Sequence, residues 1–101
     1  MKIYLIDKYK RKDFIIKNFN DYIDVKEDCK FRMTKNDFVI TSEDECVEGL
    51  EKLKNIIFLT KNQEYKHIWK IANDFKTIDI INENLSSEYI VERIKKKVGV
   101  E

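Results

Sequence analysis

Four short apolar runs punctuate the chain: "IYLI" (3–6), "FVI" (38–40), "IIFL" (56–59) and, less pure, "IDII" (78–81). They are too short for helices, and the first three do not alternate with polar residues, which is the pattern of strands covered on both faces. Other apolar positions recur at helical spacing, and each set predicts a helix lying on a sheet face. The stripes are Cys46, Val47, Leu50 and Leu53; Ile68, Ile71, Ala72 and Phe75; and Ile90, Val91, Ile94 and Val98. The last helix has a start at Ser86, with Glu88 in its first turn, and a basic finish in "KKK" (95–97) that complements its dipole.

Strands alternating with helices predict βαβ units and a mostly parallel sheet with helices on both sides. Residues 10–36 admit two readings. In the preferred one a helix spans about 10–20 around Ile15, Ile16 and Phe19, "YIDV" (22–25) is a strand, and a reduced connection leads to residue 37. That leaves barely the dozen or so residues a parallel crossover needs. In the other, the helix runs to about residue 23 and "CKFRMT" (29–34) is an alternating strand, paired antiparallel with 37–41.

The chain has 101 residues, enough for one domain with a single modest core. Lys and Arg number 20 against 19 for Asp and Glu, a net charge of +1, which argues against nucleic-acid binding by bulk charge. The 43% hydrophobic content, with six Phe, five Tyr and one Trp, suffices for a folded core. Cys29 and Cys46 form no CxxC pair and His67 is the single histidine, so neither a zinc site nor a disulfide framework is indicated. Both cysteines read as small hydrophobes rather than nucleophiles, and His67 as a surface or rim residue. Ser42, His67 and an acid have no spacing that marks a catalytic triad. No segment has signal-peptide form or approaches the roughly eighteen apolar residues of a membrane span, so a cytoplasmic protein is expected. With no Pro and only Gly49 and Gly99, a Gly-rich phosphate loop is absent, and no cofactor is expected.

Three segments together resemble a response-regulator receiver domain. "KIYLID" (2–7) is similar to the first strand leading to that family's acidic pair, "VEGLEKLKNIIFLT" (47–60) to its third helix and fourth strand, with Gly49 and Thr60 in familiar positions, and "DIINENLSSEYIVERIKKKV" (79–98) to its fifth strand and last helix. The resemblance implies a flavodoxin-like three-layer α/β sandwich. Its five-stranded, mostly parallel sheet would have the order 2-1-3-4-5, with the second helix short or missing.

The family's functional positions are altered here. Its acid pair corresponds to Asp7 and Lys8, which sets a cation where a divalent metal would bind. The phosphoacceptor falls on Ser42 or Thr41, depending on the register, and neither is a carboxylate. The conserved lysine corresponds to Glu83, the proline after it to Asn84 and the aromatic switch to Ile80; Asp7 and Thr60 alone persist. Glu43 and Asp44 are expected in the first turn of the following helix. The resemblance thus implies a bacterial signalling-type pseudo-receiver without phosphoryl chemistry, catalytic residues or metal. It would act through a protein partner or as a homodimer, as similar modules do ahead of MinD/ParA-like ATPases in pilus assembly and localisation.

Two surfaces are candidates for contact. Tyr65 and Trp69 lie four apart on one predicted helix and Tyr89 and Arg93 four apart on another, residue types enriched at binding hot spots. "KYKRK" supplies Lys8, Lys10, Arg11 and Lys12 beside Tyr9, and the alternative function is a small nucleic-acid-binding accessory protein using that run.

Overall fold

In a computed structural model that describes residues 1–45 and 48–100, five strands form one parallel sheet. In chain order the elements are β1 (Ile3–Ile6), α1 (Asp13–Asn18), β2 (Ile23–Lys26), β3 (Phe38–Ser42), β4 (Ile56–Thr60), α2 (Tyr65–Asp74), β5 (Thr77–Asn82) and α3 (Ser87–Val98). The strands lie in the order β2-β1-β3-β4-β5, the flavodoxin-like arrangement expected. The three central strands explain the non-alternating runs: β1 and β4 are buried along their whole length and β3 along all but Phe38.

Side chains alternate between two hydrophobic layers. Ile3, Leu5, Ile40, Ile57, Leu59 and Ile81 face α1 and α3, meeting Ile15, Phe19, Ile90, Val91, Ile94 and Val98. Tyr4, Ile6, Val39, Ile56 and Phe58 face the other side, where Ile71 of α2 and Phe75 just after it pack with Leu50 and Leu53. The α3 helix starts as expected, with Ser86 Oγ accepting from the Tyr89 N–H at 3.2 Å, and ends at Gly99 with φ 79°, a left-handed cap that glycine adopts without strain.

The preferred reading of 10–36 holds in outline, with the helix shorter than the expected 10–20, at Asp13–Asn18, and β2 one residue later than expected and parallel to β1. The antiparallel strand of the other reading is absent: residues 29–34 form no strand, and Cys29, Phe31 and Met33 pack onto the sheet face from an extended crossover without a helix. Two further expectations need correction. Of the helix expected around Cys46, Val47, Leu50 and Leu53, the first two residues lie outside the described ones. The rest is a 3-10 turn at Leu50–Lys52, preceded by Gly49 at φ 97°, a left-handed conformation that interrupts an α-helix; Leu50 and Leu53 are buried all the same. In α2, Ala72 is exposed and Ile68 half-buried, so of the expected stripe only Ile71 is buried, with half-buried Phe75 packed against the same cluster.

Candidate functional site

Buried polar residues collect where the strands end. Asp7, Lys12, Thr41, Ser42, Glu45 and Thr60 are all buried at the C-terminal edge of the sheet, the side on which open parallel sheets bind ligands. Side-chain alternation divides them between the two faces.

On the α1/α3 face, Asp7 follows β1 and its carboxylate is consumed by backbone. Oδ1 accepts from the Arg11 N–H and Oδ2 from the Lys12 N–H, each at 3.0 Å. These bonds fold residues 8–12 into a tight loop, with Lys10 at φ 52°, and they offset the unfavourable approach of a basic run to the start of α1. Lys12 is carried inward by this loop. Its side chain is only 4% exposed and its Nζ lies 3.7 Å from Glu83 Oε1, just past the end of β5. The cation and the carboxylate therefore face each other across the sheet edge.

On the α2 face, Thr60 at the end of β4 donates its hydroxyl to Glu43 Oε1, and His67 Nε2 meets the same oxygen. Glu43 belongs to a 3-10 turn at Glu43–Glu45, not to the first turn of an α-helix. His67 is held on the rim of α2 by this carboxylate, which ties the turn after β3 to β4 and α2. His67 Nε2 and the Thr60 hydroxyl both meet the carboxylate and not each other, so the trio lacks the imidazole-to-hydroxyl contact of a Ser-His-Asp arrangement.

Glu45 links the regions and was not singled out in the sequence. It is fully buried, its Oε2 accepts from the Lys8 N–H at 3.0 Å, and its Oε1 lies 3.7 Å from Arg11 Nη2. Arg11 also pairs with Asp44 at 3.3 Å. The basic run is thus divided: Lys12 and Arg11 are paired internally, while Lys8 and Lys10 remain without an ion pair among the described residues. Lys8 and Arg11 also sit about the Tyr9 ring, at 5.0 and 5.1 Å from its centroid.

Thr41 and Ser42 are both completely buried, and their hydroxyls find no hydrogen-bond partner among the described residues. As neighbours on β3 they point to opposite faces. Whichever register is chosen, the position holds a hydroxyl, and no group of three or more His, Cys, Asp or Glu among the described residues is placed to hold a metal ion.

The helix residues are set otherwise. On α2, Tyr65 is 80% and Trp69 62% exposed, and on α3 Tyr89 is 48% exposed. Arg93 makes a bidentate pair with Asp79 of β5, Nε to Oδ2 at 2.8 Å and Nη2 to Oδ1 at 2.7 Å. This pair raises the affinity of the Arg93 guanidinium for its proton. The lone acid within "IDII" was the signal in the sequence that β5 carries a polar contact. Among the described residues no helix is long and apolar enough to cross a membrane. No protein-family profile, curated protein or solved structure matches the chain.

Proposed function

We propose that the chain is a non-catalytic pseudo-receiver module that acts by protein–protein contact in the localisation or assembly of a larger machine. The observation that carries this reading is the Lys12–Glu83 pair beside an Asp7 carboxylate already bonded to two backbone N–H groups. Phosphoryl transfer onto an aspartate needs free carboxylates for a dication, an acceptor carboxylate and a cation at the end of the last strand. Here the cation comes from the loop before α1, the strand end is acidic, and the acceptor position carries a hydroxyl. Exposed Tyr65, Trp69 and Tyr89 supply the contact residues, on helices that flank β5 from opposite faces of the sheet. The neutralisation of Arg11 and Lys12 within the chain leaves little of the basic run for a nucleic acid.

Trp69 reports on the first half of this reading. Its emission is expected to stay flat as Mg2+ and then beryllofluoride are added to the folded protein. A saturable change would overturn the loss of the phosphoryl site. For the contact surface, Trp69→Ala and Tyr65→Ala are expected to abolish partner capture with circular dichroism unchanged. Arg93→Glu is a poorer probe, because it leaves Asp79 unpaired. Undiminished capture by both aromatic variants would remove this face.

A further inference from the structure

The two edges of the sheet are in opposite states. At β5, Glu83 donates its N–H to Thr60 O at 2.9 Å, so the alternation of a parallel ladder turns the peptide groups of Ile81 toward β4 and those of Ile80 and Asn82 outward. Three of these outward groups are satisfied within the chain. The Ile80 N–H donates to Asp79 Oδ1 at 3.0 Å, the Ile80 C=O accepts from Arg93 Nη2 at 3.4 Å, and the Asn82 C=O accepts from the Leu85 N–H at 3.2 Å. The Asp79–Arg93 pair therefore closes this edge to an added strand.

At β2 the same reasoning gives an open edge. Ile3 donates to Tyr22 O at 2.9 Å and Asp7 donates to Lys26 O at 3.1 Å, which turns the backbone of Asp24 and Lys26 toward β1 and that of Ile23 and Val25 outward. The Ile23 N–H returns to Phe19 O at 3.0 Å. The Ile23 C=O and both backbone groups of Val25 meet no protein partner among the described residues, and the Val25 side chain is 41% exposed. Charged residues on an edge strand ordinarily discourage pairing. Those of β2 are of opposite sign, on one face and two residues apart, with Lys26 Nζ 3.4 Å from Asp24 Oδ2.

We propose that β2 pairs antiparallel with β2 of a second copy of this chain, about a two-fold axis through Val25. In that register the two Val25 residues exchange both of their N–H···O bonds, and the Glu27 N–H of each copy reaches the Ile23 C=O of the other. The same register sets Asp24 opposite Lys26 of the second copy, twice by symmetry. Sliding the pairing by two residues in either direction would oppose Asp24 to Asp24 or Lys26 to Lys26, so the charges select the register that satisfies the backbone. The five-stranded sheet is doubled into one continuous sheet, and the aromatic residues of α2 and α3, at the opposite end of the strand order, stay free. This pairing goes beyond the pseudo-receiver reading and does not depend on it.

Sedimentation velocity of the whole chain over a concentration series tests the pairing. The wild type is expected to form a reversible dimer, and Lys26→Asp or Asp24→Lys to weaken it by about tenfold or more. Combining the two substitutions should restore wild-type association. Val25→Pro removes an outward N–H, which an edge strand tolerates, and should abolish the dimer while circular dichroism stays native. A wild type that is monomeric at every concentration overturns the proposal. So does a dimer indifferent to the charge reversals and to Val25→Pro, and one lost instead in Trp69→Ala would assign self-association to the helical face.

Discussion

Two buried aspartates sit at opposite ends of the sheet and make the same contacts. Asp7 follows β1 at the C-terminal edge and binds the N–H groups of Arg11 and Lys12. Asp37 precedes β3 at the N-terminal edge and accepts from the Lys2 N–H at 2.9 Å and the Thr34 N–H at 2.8 Å. Each carboxylate pins a loop to the start of a neighbouring segment. They differ only in their surroundings: Asp37 lies away from the strand ends where ligands bind, and Asp7 lies among them. A residue whose position suggested metal chemistry thus performs the work of one whose position suggests none, and location at a strand end is not by itself evidence of catalysis.

Substitution can break the parallel. Asp7→Ala and Asp37→Ala each remove the acceptor of two N–H groups, buried at Lys12 and part-buried at Arg11, Lys2 and Thr34, and are expected to cost about 1–3 kcal/mol in chemical denaturation. A neutral or stabilising Asp7→Ala beside a costly Asp37→Ala would show that Asp7 is kept for function at the expense of stability. A smaller effect is expected at the neighbouring ion pair, where Lys12→Met should lose about 1–2 kcal/mol and the added Glu83→Leu should recover most of it. Failure to recover would mean that Lys12 supports the loop by packing alone. The smallest effect concerns pH. Burial pushes the Asp37 carboxyl up, but the bonds from Thr34 and Lys2 outweigh it and hold the group below its ordinary value of 3.8. Asp37 therefore contributes stability that is fully present above that value and is lost as pH falls through the lower folded one. Asp37→Asn should flatten the acid limb of stability against pH in this range; an unchanged limb would mean that the backbone bonds do not favour the charged form.

The sheet was legible because its central strands are buried on both faces, and an uninterrupted apolar run has few other uses. The crossover was legible only as one of two readings, since the alternation in "CKFRMT" is real yet belongs to side chains laid on a sheet face, and residue order does not distinguish that from a strand in a ladder. The charged contacts needed the tertiary fold. Glu45 resembles any acid in a polar turn, and only the approach of Lys8 and Arg11 buries it. Arg93 shares a helix face with Tyr89, but its partner Asp79 comes from another element. Lys12 and Glu83, far apart in sequence, meet because the loop before α1 and the end of β5 both bring residues to the α1/α3 side of the sheet.

The helix-free crossover from Glu27 to Asp37 also bears on how the molecule opens. Phe31 stacks on Tyr4 with ring centroids 4.3 Å apart, and the Tyr4 hydroxyl donates to Arg32 O at 3.2 Å. Its other backbone bonds include those to side chains: the Lys30 N–H donates to Asp28 Oδ1 at 2.9 Å, and Asn55 Nδ2 donates to Lys35 O and Asp37 O at 3.3 and 2.9 Å. Peeling it from the sheet breaks side-chain contacts but no rung of a strand ladder, so it is the segment suited to detach while the remaining domain stays folded. Its amides should then exchange with solvent ahead of those in the central strands, and Lys30, Arg32 and Lys35 should offer trypsin its earliest cuts.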